Sequence, residues 1–177
     1  FDANYTASDT NRNACFARNA TGQLQVLTSC TNTSLQLGST NGQINITMWA
    51  NDSAGSTNNA KIQVWSDNTN PSVSDLRSNA TRMAPTVGDN ITVLVNVTDN
   101  LNLSYFIFSW NISGSFVNDS IVTITGNSTV INVSKNVSLS ELRMVGYRFY
   151  IYDKANNSAD SGVGNFTVAD RTLPGEF

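Results

Sequence analysis

Histidine is absent from this chain of 177 residues, and cysteine occurs only twice. Without histidine there is no Ser-His or Cys-His pair for nucleophilic catalysis, and a metal site would lack its usual nitrogen ligands. Glutamate is scarce as well, occurring only at Glu141 and Glu176. We therefore expect neither enzymatic activity nor a resident cofactor.

Charge of either sign is also scarce. Only 13% of the residues are charged, about half of the share in an average soluble domain, and the net charge is −3. The ten basic residues are scattered, so the chain lacks the basic patch that nucleic-acid binding requires. No stretch approaches the roughly eighteen consecutive apolar residues of a membrane span. We expect no nucleic-acid partner and no membrane span in this segment.

The two cysteines, Cys15 and Cys30, suit a disulfide better than a metal site, because no histidine accompanies them. Such a bond would close a loop of about fifteen residues and contribute roughly 3 kcal/mol on the chain-entropy model. Two separate buried thiols are the alternative. A disulfide would fit an oxidising, extracellular setting.

Residues 90–98 carry the clearest structural pattern. Ile91, Val93, Val95 and Val97 alternate with mostly polar residues, which predicts that they line one side of a β-strand. Similar short runs recur along the second half of the chain without sustained helical periodicity. They predict strands near residues 72–76, 90–98, 104–113, 116–125, 129–135, 145–153 and 163–169. Seven strands of this kind indicate an all-β, immunoglobulin-like sandwich.

An internal repeat divides the chain. Residues 49–55 read Trp-Ala-Asn-Asp-Ser-Ala-Gly and residues 150–156 read Tyr-Ile-Tyr-Asp-Lys-Ala-Asn, each after an alternating strand. Each repeat unit then closes with Asp-x-Thr-x-Pro, at 67–71 and again at 170–174. At the front of the units, the sequence aligns Cys15 with Tyr105.

The repeat predicts two tandem immunoglobulin-like β-sandwiches. The predicted organisation is a first domain over 1–67, a linker over 68–71, a second domain over 72–170 and a C-terminal tail over 171–177. Phe1 aligns inside the second strand of the unit, so the first domain is expected to lack its first strand, and the tail resembles the start of a further unit. Strand donation between copies would produce this pattern, and so would a piece of a longer tandem array.

The acceptor sequence for N-linked glycans, Asn-x-Ser/Thr, occurs sixteen times, where composition predicts about six. Threonine favours strands but asparagine does not, so strand propensity leaves the excess unexplained. Attached sugars would also supply the solvation that the scarce charges do not. We expect dense N-glycosylation, with about two-thirds of the sites used. The candidate sites are Asn4, Asn19, Asn32, Asn45, Asn51, Asn79, Asn90, Asn96, Asn102, Asn111, Asn118, Asn127, Asn132, Asn136, Asn156 and Asn165.

Aspartates at predicted strand ends have two interpretations. The residues concerned are Asp9, Asp52, Asp99 and Asp153. The favoured interpretation is that they shape turns by accepting hydrogen bonds from nearby backbone amides. Calcium bound at the inter-domain joint, by residues 67–70 and 99–100, is the less favoured alternative, because the spacing matches no defined calcium loop.

Strand alternation also predicts outward-facing apolar side chains that form a contact patch. The residues are Tyr105, Ile107, Tyr150 and Tyr152 in the second domain, and Trp49 and Trp65 as the equivalent patch of the first. Contiguous exposed aromatic surface marks a contact site. Cover by attached sugars or by the neighbouring domain is the alternative.

Several stretches resemble the tandem immunoglobulin-like repeats of archaeal extracellular surface glycoproteins. The stretches are Ala-Ser-Asp-Thr-Asn at 7–11, Ala14-Cys15, the second cysteine at Cys30, and Ile-Thr-Met-Trp-Ala-Asn-Asp-Ser-Ala-Gly at 46–55. That family includes surface-layer proteins, adhesins and filament or thread subunits. The resemblance implies that Cys15 and Cys30 pair within the first unit, and that the chain lies outside the cell.

Together these patterns predict a structural subunit of a pilus-like or thread-like extracellular filament. Its copies would polymerise head to tail by donor-strand complementation, so its partners would be copies of itself. The alternative is an adhesin or surface-layer stalk that binds a glycan or another surface glycoprotein through the aromatic patch.

Overall fold

The computed structural model describes residues 2–3, 12–18, 24–27, 33–34, 41–81, 84–140 and 142–169 of the chain. Contacts divide the chain into two compact units, Phe1–Asn68 and Thr69–Phe177, which we call unit 1 and unit 2. The division falls within the linker predicted over 68–71.

The predicted all-β class is confirmed, since strands make up the regular structure of the described residues apart from one 3-10 turn at Asn79–Thr81. The strands are β1 Asp2–Ala3, β2 Arg12–Arg18, β3 Leu24–Leu27, β4 Thr33–Ser34, β5 Gly42–Asp52, β6 Thr57–Ser66, β7 Ser72–Ser78, β8 Asn90–Thr98, β9 Leu103–Trp110, β10 Val117–Asn118, β11 Val122–Thr123, β12 Ser128–Asn136, β13 Arg143–Asp153, β14 Ser158–Asp160 and β15 Gly164–Val168. Among the described residues, no helix has the length and apolar character needed to cross a bilayer.

Unit 2 is a sandwich of two antiparallel sheets. One sheet has the strand order β12-β8-β7; the other has the order β10-β9-β13-β14, with β11 also paired to β9 and β15 to β13. Alternate residues of β8 are buried, as predicted, and meet buried aromatic residues of β9 and β13 in one core. This core includes Ile91, Val93, Val95, Val97, Phe106, Phe108, Phe149 and Ile151. Removal of this apolar surface from water holds the sheets face to face.

Two strand predictions for unit 2 are wrong in detail. The strand predicted over 116–125 forms two short strands, β10 and β11, which both pair with β9. Between them, residues 119–121 lie opposite only 107–108 of β9, and one extra residue interrupts the ladder of hydrogen bonds. Strand β14 was not predicted, because its three residues, Ser-Ala-Asp, carry no alternating apolar pattern.

Unit 1 contains a four-stranded antiparallel sheet in the order β3-β2-β5-β6, and a separate pair formed by β1 and β4. One face of the larger sheet is buried along β2 and β5. Cys15 lies in this face, is inaccessible to solvent and takes part in a disulfide bond. Its predicted partner, Cys30, lies outside the described residues, as does the tail predicted over 171–177.

The internal repeat is visible in two matching hairpin turns. Asp52 and Asp153 begin these turns, and the Oδ1 atom of each accepts a hydrogen bond of 2.8 Å from the amide four residues later. The residue three places after each aspartate has a positive φ, 85° at Gly55 and 69° at Asn156. The two turns therefore have the same hydrogen bond to the aspartate and the same left-handed residue three places later.

Strand pairing corrects the alignment of the units by one residue. Cys15 pairs with Ala50 on β5, whereas Phe106 pairs with Ile151 on β13. Since Ala50 and Ile151 both lie two residues before the turn aspartate, Cys15 corresponds to Phe106 and not to Tyr105. Burial agrees with this assignment, because Cys15 and Phe106 are buried while Tyr105 is half-buried on the outer face.

Replacing Gly55 by alanine should destabilise unit 1 by about 1 kcal/mol, because a Cβ atom disfavours the left-handed backbone conformation. Nothing lies within 4 Å of the added Cβ, so the cost is conformational and not steric. Gly55→Asn should cost less, since Asn156 adopts this conformation in unit 2.

Thermal unfolding of the two variants measures this difference. The protein should come from a host without N-glycosylation, because Gly55→Asn creates a new Asn-Ser-Thr sequence at 55–57. Equal losses of stability in the two variants would contradict the equivalence of the two turns.

Candidate functional site

A row of apolar side chains runs along the outer face of β9 and β13 in unit 2. Tyr105 lies opposite Tyr152, and Ile107 lies opposite Tyr150. The rings of Tyr105 and Tyr152 stack, with centroids 4.5 Å apart and an angle of 14° between their planes. All four side chains are half-buried. The structure thus brings together the four residues predicted for this face, which we call the aromatic row; its role in contacts stays a prediction.

The aromatic row continues into a cationic stack that was not predicted. The guanidinium carbon of Arg148 lies 4.9 Å from the ring centre of Tyr150 and 4.6 Å from that of Phe116, within the range of cation–π attraction. A carboxylate oxygen of Asp160 lies 3.4 Å from Arg148 Nη1 and offsets its charge. Arg148 precedes Tyr150 and Tyr152 by two and four residues, so all three side chains lie on the same face of β13. This alternation is the sequence signal that could have placed Arg148 beside the aromatic row.

The outer face of the opposite sheet of unit 2 has a different chemistry. On β8 and β12 the outward positions hold mainly asparagine, serine and threonine. Four of these outward residues are candidate glycan sites: Asn90, Asn96, Asn132 and Asn136. Strands β9 and β13 contain no candidate glycan site. The sheet that carries the aromatic row has two outward candidate sites, Asn118 on β10 and Asn165 on β15, both outside the two strands of the row.

The candidate glycan sites lie at the surface wherever the structure describes them. Nine of the asparagines are exposed and four are half-buried. The exposed set is Asn45, Asn79, Asn90, Asn118, Asn127, Asn132, Asn136, Asn156 and Asn165, and the half-buried set is Asn51, Asn96, Asn102 and Asn111. Asn4, Asn19 and Asn32 lie outside the described residues. Surface position is a condition for carrying a glycan, and occupancy of these sites stays a prediction.

Some of these asparagines also bind the backbone. The Oδ1 atom of Asn111 accepts a hydrogen bond of 2.7 Å from the amide of Gly146. The Oδ1 atom of Asn79 accepts one of 2.8 Å from the amide of Thr92. An N-linked glycan attaches to Nδ2 and not to Oδ1, so at Asn79 and Asn111 the structural contact and the modification would use different atoms of the side chain.

Trp49 and Trp65 do not form one patch on unit 1, contrary to the prediction. Both face outward, but Trp49 lies opposite Asn59 of β6, six residues from Trp65 along that strand. At about 3.3 Å per residue, this separation amounts to about 20 Å. Trp49 lies instead opposite Phe16 of β2. Alternation predicts the face on which each side chain lies, but not the distance between two side chains on that face.

The described strand-end aspartates shape turns, as predicted. The Oδ1 atom of Asp99 accepts hydrogen bonds from the amides two and three residues later, at 2.9 and 2.7 Å. Asp153 is buried, and its Oδ2 atom accepts a hydrogen bond of 2.7 Å from the side chain of Asn157. Carboxylate oxygens of Asp99 and Asp153 lie within 4.8 Å of each other. Calcium at the inter-domain joint stays a prediction, and Asp9 lies outside the described residues.

No protein-family model matches the chain, and no curated protein is significantly similar to it in sequence. Its proposed role therefore rests on the residues and geometry given above, together with the resemblance seen in its sequence.

Asn111→Ala should destabilise unit 2 by about 1–3 kcal/mol, because it leaves the buried amide of Gly146 without its acceptor. Asn132 is exposed and makes no side-chain hydrogen bond to the described part of the chain. Asn132→Ala should therefore change the free energy of unfolding by no more than about 0.5 kcal/mol. Denaturant unfolding of the unglycosylated protein measures both values. A loss at Asn111 as small as that at Asn132 would contradict a structural role.

Proposed function

We propose that this chain is a structural subunit of an extracellular, heavily N-glycosylated filament, whose copies join head to tail by exchange of a β-strand. Its function would depend on its surface and on its strand edges, and its partners would be copies of itself. The resemblance to the repeats of archaeal surface glycoproteins fits this role and a location at the cell surface.

The edge strand β7 is the observation that carries the proposal. Within the described chain β7 pairs only with β8, at one edge of the three-stranded sheet of unit 2. Val73 and Leu76 of this strand pack against the core of unit 2. A strand that is held by one ladder of hydrogen bonds and a few apolar contacts is an element that another chain can supply.

Unit 1 would use the same kind of strand. Corresponding residues of β2 and β9 lie 91 positions apart, as Cys15 and Phe106 do, so the counterpart of β7 falls before Phe1. Such a strand would come from residues ahead of Phe1 in a longer chain or from another copy. Donation from another copy links copies through a head-to-tail contact, which generates an open filament where the rotation does not close.

A glycan coat is supported by the surface position of the described glycan acceptor asparagines. With only 13% charged residues, the protein has little charge repulsion to keep it soluble. Sugars on the β8 and β12 face would solvate that face and hinder unwanted pairing at nearby strand edges.

Electron microscopy of the native protein, before and after boiling in detergent, tests the proposal. We expect regular filaments that survive the treatment, since donated strands are held by a full ladder of backbone hydrogen bonds. Single particles or loose chains of domains would contradict strand exchange.

A self-complemented variant makes the test specific to unit 1. A second copy of residues 70–90 placed before Phe1 would supply a counterpart of β7 in cis and should abolish filament formation. The matched control carries Val73→Asp and Leu76→Asp in the added copy alone, and it should still form filaments. Filaments from the self-complemented chain that equal those of the unmodified chain would show that the strand of unit 1 is not donated.

The aromatic row supports a second candidate function, that of an adhesin. The row is half-exposed and lies on strands without glycan acceptor sequences, so no glycan would be attached to the row itself. Tyrosine is enriched among residues that contribute most to binding energy. Under this alternative, the row would bind a glycan or a surface glycoprotein.

A glycan array tests the second candidate. Tyr150→Ala should weaken binding at least about tenfold, the equivalent of about 1.4 kcal/mol. Val130→Ala is the control, because Val130 is 58% exposed on the outer face of the opposite sheet. Adhesion through the aromatic row would be contradicted if no glycan on the array bound the protein. It would also be contradicted if Tyr150→Ala and Val130→Ala bound equally well.

A further inference from the structure

Unit 1 has a hollow on the outer face of its sheet. It is open to solvent, has a volume of about 240 Å³, and is lined by Phe16, Arg18, Trp49, Asn51 and Thr57. Phe16 and Trp49 lie opposite each other on β2 and β5. The guanidinium carbon of Arg18 lies 5.8 Å from the ring centre of Trp49. The hollow thus combines two aromatic rings, one cation and a glycan acceptor asparagine.

The corresponding place in unit 2 is filled by two tyrosines. By strand register, Asn51 corresponds to Tyr152, and its neighbour Ala14 corresponds to Tyr105. Where unit 2 has two rings stacked 4.5 Å apart, unit 1 has a methyl group and an amide. Replacement of two large side chains by small ones accounts for the open space beside Phe16 and Trp49.

The side chain of Asn51 is held in a defined orientation. Its Oδ1 atom accepts a hydrogen bond of 2.9 Å from the amide of Ala14, next to the register shift of β2. Within the described chain this is the only side-chain hydrogen bond of Asn51. The Nδ2 atom, to which an N-linked sugar attaches, is therefore left for modification, and a sugar on it starts beside the hollow.

We propose that the hollow binds the first sugar ring of a glycan carried by Asn51. The C–H groups on the apolar face of a pyranose ring would lie against Trp49 and Phe16, where contact removes apolar surface from water. Arg18, a donor with no acceptor capacity, would donate hydrogen bonds to the sugar oxygens. The volume of about 240 Å³ suits a single ring, since pockets for drug-sized ligands begin at about 300 Å³.

Covalent attachment makes a shallow site of this kind effective. A sugar linked to Asn51 has a high effective concentration at the hollow, so weak stacking suffices to hold it. The inference rests on the N-glycosylation in the proposed function, and it adds a defined resting place for one glycan. That glycan would then contribute to the stability of unit 1.

A double-mutant cycle tests the site in the full chain, produced in a secretory host that glycosylates such sequences. Mass spectrometry of glycopeptides first establishes whether Asn51 is occupied. Thermal unfolding is then measured for Trp49→Ala, Ser53→Ala and the double variant. Ser53→Ala removes the acceptor sequence but keeps the Asn51 side chain and its hydrogen bond. Trp49→Ala should lower the melting temperature of unit 1 by about 4–8 °C more with Ser53 present than in the Ser53→Ala background.

Two further variants keep the result interpretable. Trp65→Ala is the matched control, because Trp65 is 67% exposed on the same sheet and lies about 20 Å along the strands from the hollow. Its effect should be the same in both backgrounds. Phe16→Ala is a second variant of the hollow, for use if Trp49→Ala fails to fold, and should show coupling of the same sign.

The possible outcomes separate this inference from the proposed function. An occupied Asn51 with equal effects of Trp49→Ala in both backgrounds would overturn the sugar site alone. An unoccupied Asn51 beside occupied sites elsewhere would do the same. Glycans at no site would overturn the proposed glycan coat together with this inference.

A titration distinguishes the source of the sugar. The Ser53→Ala chain is titrated with free N-acetylglucosamine while the fluorescence of its tryptophans is followed. Suppose that free N-acetylglucosamine binds saturably, but that Trp49→Ala has equal effects in the two backgrounds of the double-mutant cycle. The hollow would then bind a sugar from another molecule, which would overturn the assignment to the glycan of Asn51.

Discussion

The antiparallel pairing of two central strands in each unit is the constraint on which the rest of the structure depends. β9 pairs with β13 in unit 2, β2 pairs with β5 in unit 1, and both pairs shift register just before the same turn. Because side chains alternate along a strand, this register decides which residues are buried and which stand side by side outside. A slip of one residue would bury the aromatic row and expose the core.

The same pairing of central strands therefore supports two different outer surfaces. In unit 2 the stacked pair Tyr105 and Tyr152 fills the face beside the turn. In unit 1 the corresponding residues are Ala14 and Asn51, and the same face opens into a hollow. The backbone hydrogen bonds of the strands do not depend on these side chains, so outward residues can change while the strands keep their pairing and register. This freedom is what a repeated structural unit needs in order to vary its contacts.

In unit 2 the proposed glycan coat would cover the outer face of β8 and β12, and it would reach the strands that flank the aromatic row through Asn118 and Asn165. Four acceptor asparagines lie on the outer face of β8 and β12, while the aromatic row lies on β9 and β13, which carry none. A surface with few charges would be solvated by sugars on one face and would have an apolar face for association on the other. The edge strand β7 would add a second means of contact, through backbone hydrogen bonds.

The sequence by itself determined the strand class, the inward faces and the repeat, because alternation with period two is local to each strand. It also determined the acceptor asparagines and the lack of histidine chemistry. Only the tertiary structure decided which outward residues are neighbours: Tyr105 meets Tyr152, whereas Trp49 and Trp65 are far apart. The break between β10 and β11 and the one-residue correction at Cys15 depend on how strands pair. An extra residue in one strand is left unpaired, and which residue it is depends on the pairing with the neighbouring strand.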